Sequence, residues 1–231
     1  MIDFARSWLF PSACAGCDAL GPGLCPACAP APGAALAFDV DGVPAFALGP
    51  YESALRRAVV ALKHGERDPL DALAALLERA PLAGVLVPVP TTRQRAAERG
   101  FDQSVQLARR LAARRGLACA ELLAKHGRAQ AGRGRGERLA AHGRFGLRAG
   151  APGPGLALPR EVTLLDDVCT TGATLRDALW TLREHAVEVC RIVVVARALD
   201  DRPRPGELLG RAPRRPAALP EPGAPRAGPR R

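Results

Sequence analysis

The chain has 231 residues, 48% of them hydrophobic and only 4% aromatic, with a formal net charge of +10 from 33 Lys and Arg against 23 Asp and Glu. That length accommodates one α/β domain with a small appendage, not two full domains. No apolar run approaches the ~20 residues that span a bilayer, and Met1 to Pro11 lacks the apolar core and cleavage site of a signal peptide, so a cytoplasmic protein without membrane insertion is expected.

The charge is concentrated. Residues 91–150 hold 14 basic and 4 acidic side chains, and residues 202–231 hold 8 and 2. Such patches favour an anionic partner, either a small polyphosphate or a nucleic acid backbone, the alternative being solvated arginines with no partner.

Near the start, Cys14, Cys17, Cys25 and Cys28 form two CxxC pairs seven residues apart, whereas Cys119, Cys169 and Cys190 stand alone. Four thiolates at this spacing can surround one Zn²⁺ tetrahedrally at Zn–S distances of about 2.3 Å, and Gly16, Pro22, Gly23 and Pro26 permit the tight turns. Disulfide pairing is the alternative, disfavoured in a reducing compartment. With four protein ligands the metal would be structural, holding a module too short to bury its own core. Residues 29–50 are rich in Pro, Gly and Ala, with Asp39-Val40-Asp41-Gly42 as a turn between two short strands. They are read as joining the zinc module, residues 1–50 together, to a main domain over 51–200.

Ser53 is the expected cap of a helix carrying Leu55, Val59 and Leu62 and ending near Gly65, with Lys63 in its last turn. Asp68-Pro69 opens a second helix through Arg79 whose apolar face is Leu70, Leu73, Leu76 and Leu77. Val85 to Pro90 is a buried strand, confined to an edge or ended by Pro88 and Pro90, which lack ladder donors. A loop with three arginines follows it, and Asp102 is the N-cap of a helix to Arg115 that packs Val105, Ala108, Leu111 and Ala112 inward and stops at Gly116. Residues 125–148, with Gly132-Arg133-Gly134-Arg135-Gly136, read as a flap over a site. An uninvolved surface loop is the alternative.

The most informative stretch is Val162-Thr163-Leu164-Leu165-Asp166-Asp167-Val168-Cys169-Thr170-Thr171-Gly172-Ala173-Thr174-Leu175. Val162 to Leu165 is a strand buried on both faces of a parallel sheet. Leu175, Ala178, Leu179, Leu182 and Ala186 then recur with helical spacing. Residues Asp166 to Thr174 are therefore the loop beyond a strand's carboxyl end, where ligands bind in open α/β sheets. Thr170, Thr171 and Thr174 supply hydroxyls, Gly172 lets backbone N–H groups approach closely, and the helix start adds unpaired donors, which together make a monophosphate cradle. Asp166 and Asp167 can accept hydrogen bonds from two vicinal sugar hydroxyls or hold Mg²⁺. Acids beside a phosphate cradle describe a ribose 5-phosphate site; a purely structural turn ending in two acids is the alternative. Val189 to Val195 is a third strand beside it. Residues 201–231 are dominated by Pro, Arg, Gly and Ala and are expected to form a disordered basic tail.

Leu165 to Thr174 resembles the phosphoribosyl-pyrophosphate (PRPP) signature of the type I phosphoribosyltransferases. The resemblance implies a type I phosphoribosyltransferase-like parallel sheet flanked by helices, a 5-phosphate on Thr170, Thr171, Gly172, Ala173 and Thr174, and Asp166 and Asp167 at the ribose hydroxyls. It further implies pyrophosphate with Mg²⁺ near Thr91, Thr92 and Arg93, with Arg99 or Lys63 adding charge. Pro88-Val89-Pro90, Arg99-Gly100-Phe101-Asp102-Gln103, Ala61-Leu62-Lys63-His64-Gly65 and Gln130 to Phe145, in that setting and after a four-cysteine module, resemble the blocks of the ComF family over about residues 12–199. That family is linked to competence and DNA uptake. Departures are Asp102 where the family usually has Asn, His64 where it has an aromatic residue, and Leu139-Ala140-Ala141 after Glu137-Arg138 where its run ends in Asn. A carboxylate at 102 would repel a phosphate that it faced.

Three functions follow as expectations: a phosphoribosyltransferase, a single-stranded-DNA-binding accessory of a competence helicase, or a regulator that senses PRPP without turning it over. With only Phe101 and Phe145 as aromatics in residues 91–150, the DNA reading would rest on salt-sensitive phosphate contacts. The acceptor and the oligomeric state are not legible.

Overall fold

Alternation along three apolar runs decides the architecture. In the computed structural model, which describes residues 12–126, 143–151 and 157–199, strands β1 (Leu36–Val40), β2 (Val43–Pro50), β3 (Val85–Pro88), β6 (Glu161–Cys169) and β7 (Glu188–Arg197) form one sheet in the order β1-β2-β7-β6-β3. All its pairings are parallel except the β1–β2 hairpin. Leu86, Leu165, Val193 and Val195 point to one face, where they meet helices α1 (Ser53–Lys63), α2 (Pro69–Leu77) and α4 (Gln103–Arg115). Val87, Val162, Leu164, Ile192 and Val194 point to the other, against α5 (Ala173–Glu184) and the small antiparallel pair β4 (Leu123–Lys125) and β5 (Phe145–Leu147). Successive residues of one strand thus feed opposite cores, which is why these runs are continuously apolar.

Thr163 is the polar exception in β6, and it is satisfied. Its hydroxyl donates to the Ala83 carbonyl at 2.7 Å and accepts from the Ala83 N–H at 2.9 Å. At the β3 edge, the Leu86 N–H donates to Ala118 O and the Ala120 N–H donates to Leu86 O, both at 2.9 Å, covering the strand before the proline residues begin.

Several elements differ from expectation. The hairpin 36–50 belongs to the main sheet, since β2 pairs in parallel with β7. Ser53 does not cap α1. Glu52 occupies that position without a side-chain hydrogen bond, and Ser53 has φ of 46°. The arginines after Pro90 form a short helix, α3 (Arg93–Arg99), instead of a loop, because Thr92 caps it by accepting from the Arg95 N–H. In α4 Ala108, Leu111 and Ala112 are buried as expected, but Val105 is half-buried and Leu107 is buried in its stead. Ala186 lies beyond α5 with φ of 56° and is exposed.

The cysteine module is not a separate lobe. Cys14 and Leu24 are buried in the same core as Leu55, Ala58 and Leu70. A methyl group at Gly23 would sit 2.0 Å from the Asp68 carbonyl oxygen, and one at Gly16 would sit 2.6 Å from Cys28 Sγ, so both glycines are required by close approach. Residues 200–231, which hold the expected basic tail, lie outside the described residues. So do Gln130 and the Gly132–Gly136 and Glu137–Ala141 runs of the expected flap; only its roots, β4 and β5, are described. No helix among the described residues is long and apolar enough to cross a membrane.

Candidate functional site

Asp166 and Asp167 lie within the last four residues of strand β6, not in the loop beyond it, because β6 runs on to Cys169. Parallel pairing with β7 continues through Asp166 opposite Val194, so the acids are fixed by the sheet itself. Each is only 8% exposed. Asp166 Oδ1 accepts from the Ser104 hydroxyl at 3.2 Å and from the Asp167 N–H at 2.8 Å. Asp167 Oδ2 accepts from Gln103 Nε2 at 3.1 Å and lies 3.6 Å from Lys63 Nζ. Burial, then the neighbouring Asp167 charge, pushes the Asp166 carboxyl well above the ordinary range, against the pull of the Asp167 N–H, Lys125 and Ser104.

Around the pair, Lys63, Pro90, Thr91, Arg95, Arg99, Gln103, Ser104, Lys125 and Thr174 enclose a polar cavity of about 140 Å³. Lys63 comes from the last turn of α1, Arg95 and Arg99 from α3, and Lys125 from the end of β4. Burial lowers the Lys125 ammonium, which Asp166 raises and Arg144 and Arg95 lower further. The cavity is thus an acidic floor under a cationic wall, a setting for a ligand that carries both hydroxyls and anionic groups.

Of the residues singled out from sequence, Lys63, Thr91, Arg99, Asp166, Asp167 and Thr174 line this cavity. Thr92 instead caps α3, and Arg93 lines a neighbouring cavity of about 270 Å³ with Thr91, Asp102 and Lys125. Thr170 and Thr171 are exposed and are not among the residues that line the cavity around the acid pair. Gly172 adopts φ of 74° as the N-cap of α5, and Thr171 Oγ1 accepts from the Ala173 N–H at 3.4 Å. A methyl group at Gly172 would lie 3.2 Å from an Arg176 guanidinium nitrogen, so Arg176 reaches back over this turn.

Arg95, Gln103, Ser104, Lys125 and Arg176 were not expected. Asp102 does not face a ligand as a free carboxylate. Its Oδ1 accepts from the Ser104 and Val105 N–H groups, and its Oδ2 accepts from the Thr91 N–H at 2.7 Å. Burial still raises this carboxyl, against those three donors.

The sulfur atoms of Cys14, Cys17, Cys25 and Cys28 all lie within 4.8 Å of one another, and Cys17 Sγ is 3.8 Å from Cys25 Sγ. Four sulfurs about 2.3 Å from a tetrahedral ion are about 3.8 Å apart, so the set fits one thiophilic metal such as zinc. All four are free cysteines. Both CxxC turns are closed by backbone bonds, Asp18 N–H to Cys14 O and Ala29 N–H to Cys25 O, and the Gly16 and Cys25 N–H groups donate to Cys14 Sγ.

No family model and no curated protein matches the sequence. Among solved structures the chain is similar to a crystal structure of adenine phosphoribosyltransferase, with 15% sequence identity and a TM-score of 0.32, over 72% of this chain and 86% of that one. So remote a likeness assigns no family and no activity.

Proposed function

We propose that the protein binds PRPP or a related ribose 5-phosphate with Mg²⁺ and acts as a type I phosphoribosyltransferase of ComF-like organisation. One observation carries the reading. A buried acid pair at the carboxyl end of a central parallel strand lines one cavity with Lys63, Arg95, Arg99 and Lys125, and the Thr170-Thr171-Gly172 turn follows it within a few residues at the start of α5.

In this reading the 5-phosphate rests on the N–H and hydroxyl groups of Thr170 to Thr174, with Arg176 beside it. The ribose hydroxyls donate to Asp166 and Asp167. The pyrophosphate lies toward Thr91, Thr92 and Arg93, where Arg95, Arg99 and Lys63 offset its charge. Mg²⁺ would add positive charge at the pyrophosphate, and Asp166 and Asp167 are the carboxylates of the cavity able to hold it. A nucleophile then attacks C1 as pyrophosphate leaves, and the protein's part is to position the sugar and stabilise the leaving charge. The four-cysteine set would hold a structural Zn²⁺.

Calorimetric titration of PRPP with MgCl₂ tests this. The intact protein should bind, and Asp166→Ala/Asp167→Ala and Thr171→Ala should each weaken binding at least about tenfold, the scale of a lost charge-assisted hydrogen bond. No binding by the intact protein removes the transferase reading. Binding without pyrophosphate release across a panel of acceptors leaves a PRPP sensor.

A further inference from the structure

Gln103 occupies an unusual place for a neutral side chain. It is 6% exposed, on the first turn of α4, between a cation and an acid. Its Oε1 accepts from the Arg99 guanidinium at 2.9 Å, and its Nε2 donates to Asp167 Oδ2 at 3.1 Å. A guanidinium only donates and a carboxylate only accepts, so these two neighbours dictate which way the amide points. Arg99 thereby aims the Gln103 donor at Asp167. Arg99 also lines the cavity, as do Asp166, Asp167 and Lys63. The bond to Gln103 takes one of its five N–H donors, so an incoming anion that takes a two-pronged contact on that edge competes with Gln103 for it.

We propose that Arg99 and Gln103 form a latch between the two halves of the site, in which an anionic group that draws Arg99 away from Gln103 frees the Asp167 Oδ2 position that Gln103 occupies, adding it to those open to the sugar hydroxyls. The inference rests on the ribose phosphate reading above and deepens it by linking the pyrophosphate side to the sugar side. With Arg99 engaged elsewhere, Gln103 Oε1 loses its charged donor and the amide is no longer held toward Asp167. Asp167 Oδ2 then keeps only the Lys63 ammonium, 3.6 Å away. Gln103 is a positioning residue here, acting through Asp167. Two anionic ligands in one cavity would ordinarily repel, so the latch predicts the opposite sign of coupling from simple electrostatics.

The test titrates ribose 5-phosphate into the full chain with and without saturating pyrophosphate, each with and without MgCl₂, and repeats the titrations in reverse order. Pyrophosphate should tighten ribose 5-phosphate binding about five- to tenfold, and the reverse titration should give the same factor, as linkage requires. In Gln103→Met, whatever its effect on either ligand alone, the factor should fall below about twofold. Gln103→Glu should lose it too, because it keeps an acceptor for Arg99 but has no donor for Asp167. Arg99→Gln, at the half-buried end of α3, gives the same readout if the buried variants do not fold. A Mg²⁺ ion bridging the two ligands would couple them in the variants as well as in the parent. If both ligands bind but the factor is absent, or persists in the variants, the latch is wrong and the ribose phosphate reading stands. If neither ligand binds, the reading fails and the latch with it.

Discussion

The backbone N–H of Thr91 donates to Asp102 Oδ2 at 2.7 Å, tying the segment after β3 to the first turn of α4. The same carboxylate caps that helix through Oδ1. Asp102→Asn would set an amide donor against either the Thr91 N–H or the cap donors, and should cost about 1 kcal/mol. Asp102→Ala removes cap and tie together and should cost roughly 2–3 kcal/mol. Urea denaturation of both variants checks the order. Equal stability of all three proteins would show that the tie contributes nothing.

Asp166 should be stabilising only when protonated. Its carboxyl is held well above the ordinary range by burial and then by Asp167, so the folded state binds that proton more tightly than the unfolded chain does. The contribution is fully present below the unfolded pKa of about 3.9 and is lost as pH rises through the raised folded value. Asp166→Asn keeps an oxygen for Ser104 and the Asp167 N–H without the charge. It should raise Tm at pH 7.5 by roughly 3 °C, give no gain at pH 4, and remove sugar phosphate binding. A lower Tm at pH 7.5 would contradict this account.

The cysteine cluster should hold one metal ion per chain, with affinity that rises with pH. Burial pushes Cys14 up, but the Cys25 and Gly16 N–H groups outweigh it and bring the thiol down to about 6. Burial and then the neighbouring thiols push Cys28 up to about 12. Metal entry at pH 7.5 must therefore displace a proton from Cys28, whereas Cys14 is already a thiolate. Elemental analysis should find one zinc per chain, and a chelator should lower Tm. Gly23→Ala, which alters no ligand, should cost roughly 2–4 kcal/mol by driving a methyl group into the Asp68 carbonyl, and should speed metal loss. Retention of full stability would show that the module is not pressed against α2.

Arg144 forms an ion pair through Nε with Asp177, which is 2% exposed on α5, and donates through a terminal nitrogen to the Ala173 carbonyl at 3.2 Å. Arg144→Met should destabilise the fold by about 2–3 kcal/mol, because it removes the cation beside a buried carboxylate. Pairing it with Asp177→Asn should recover part of that loss in a double-mutant cycle. Full additivity of the two changes would deny the coupling.

The acid pair and its threonine turn were legible because strand, turn and helix signals fall within one continuous stretch, Val162 to Leu175. The β3 edge was legible from Pro88 and Pro90, and the α4 cap and stop from Asp102 and Gly116. Gln103, Ser104 and Lys125 were not, since nothing local to them names a partner on β6. A faint signal existed: Gln103 shares a helical stripe with Leu107 and Leu111, and Ser104 with Ala108 and Ala112, all of them buried. Polar residues on an apolar stripe must find hydrogen bonds inside the fold, and these two find the acids. Strand β6 runs four residues past Leu165 although carboxylates are poor strand formers in isolation, because parallel pairing with β7 carries it on to Cys169.

The pairing of Ala45 with Ile192 and of Ala47 with Val194 has a consequence for how the molecule comes into being. Strand β2 has no neighbour on its inner side until β7, which lies nearly at the end of the described residues, has been synthesised. Contacts so distant along the chain are slow to form, and a nascent chain would expose apolar strand surface while it waits. The cysteine turns and the β1–β2 hairpin are local and can form early. The acids on β6 are gripped only when β7 docks between β6 and β2, so a partly made chain has the acid pair but not yet the cavity that it lines.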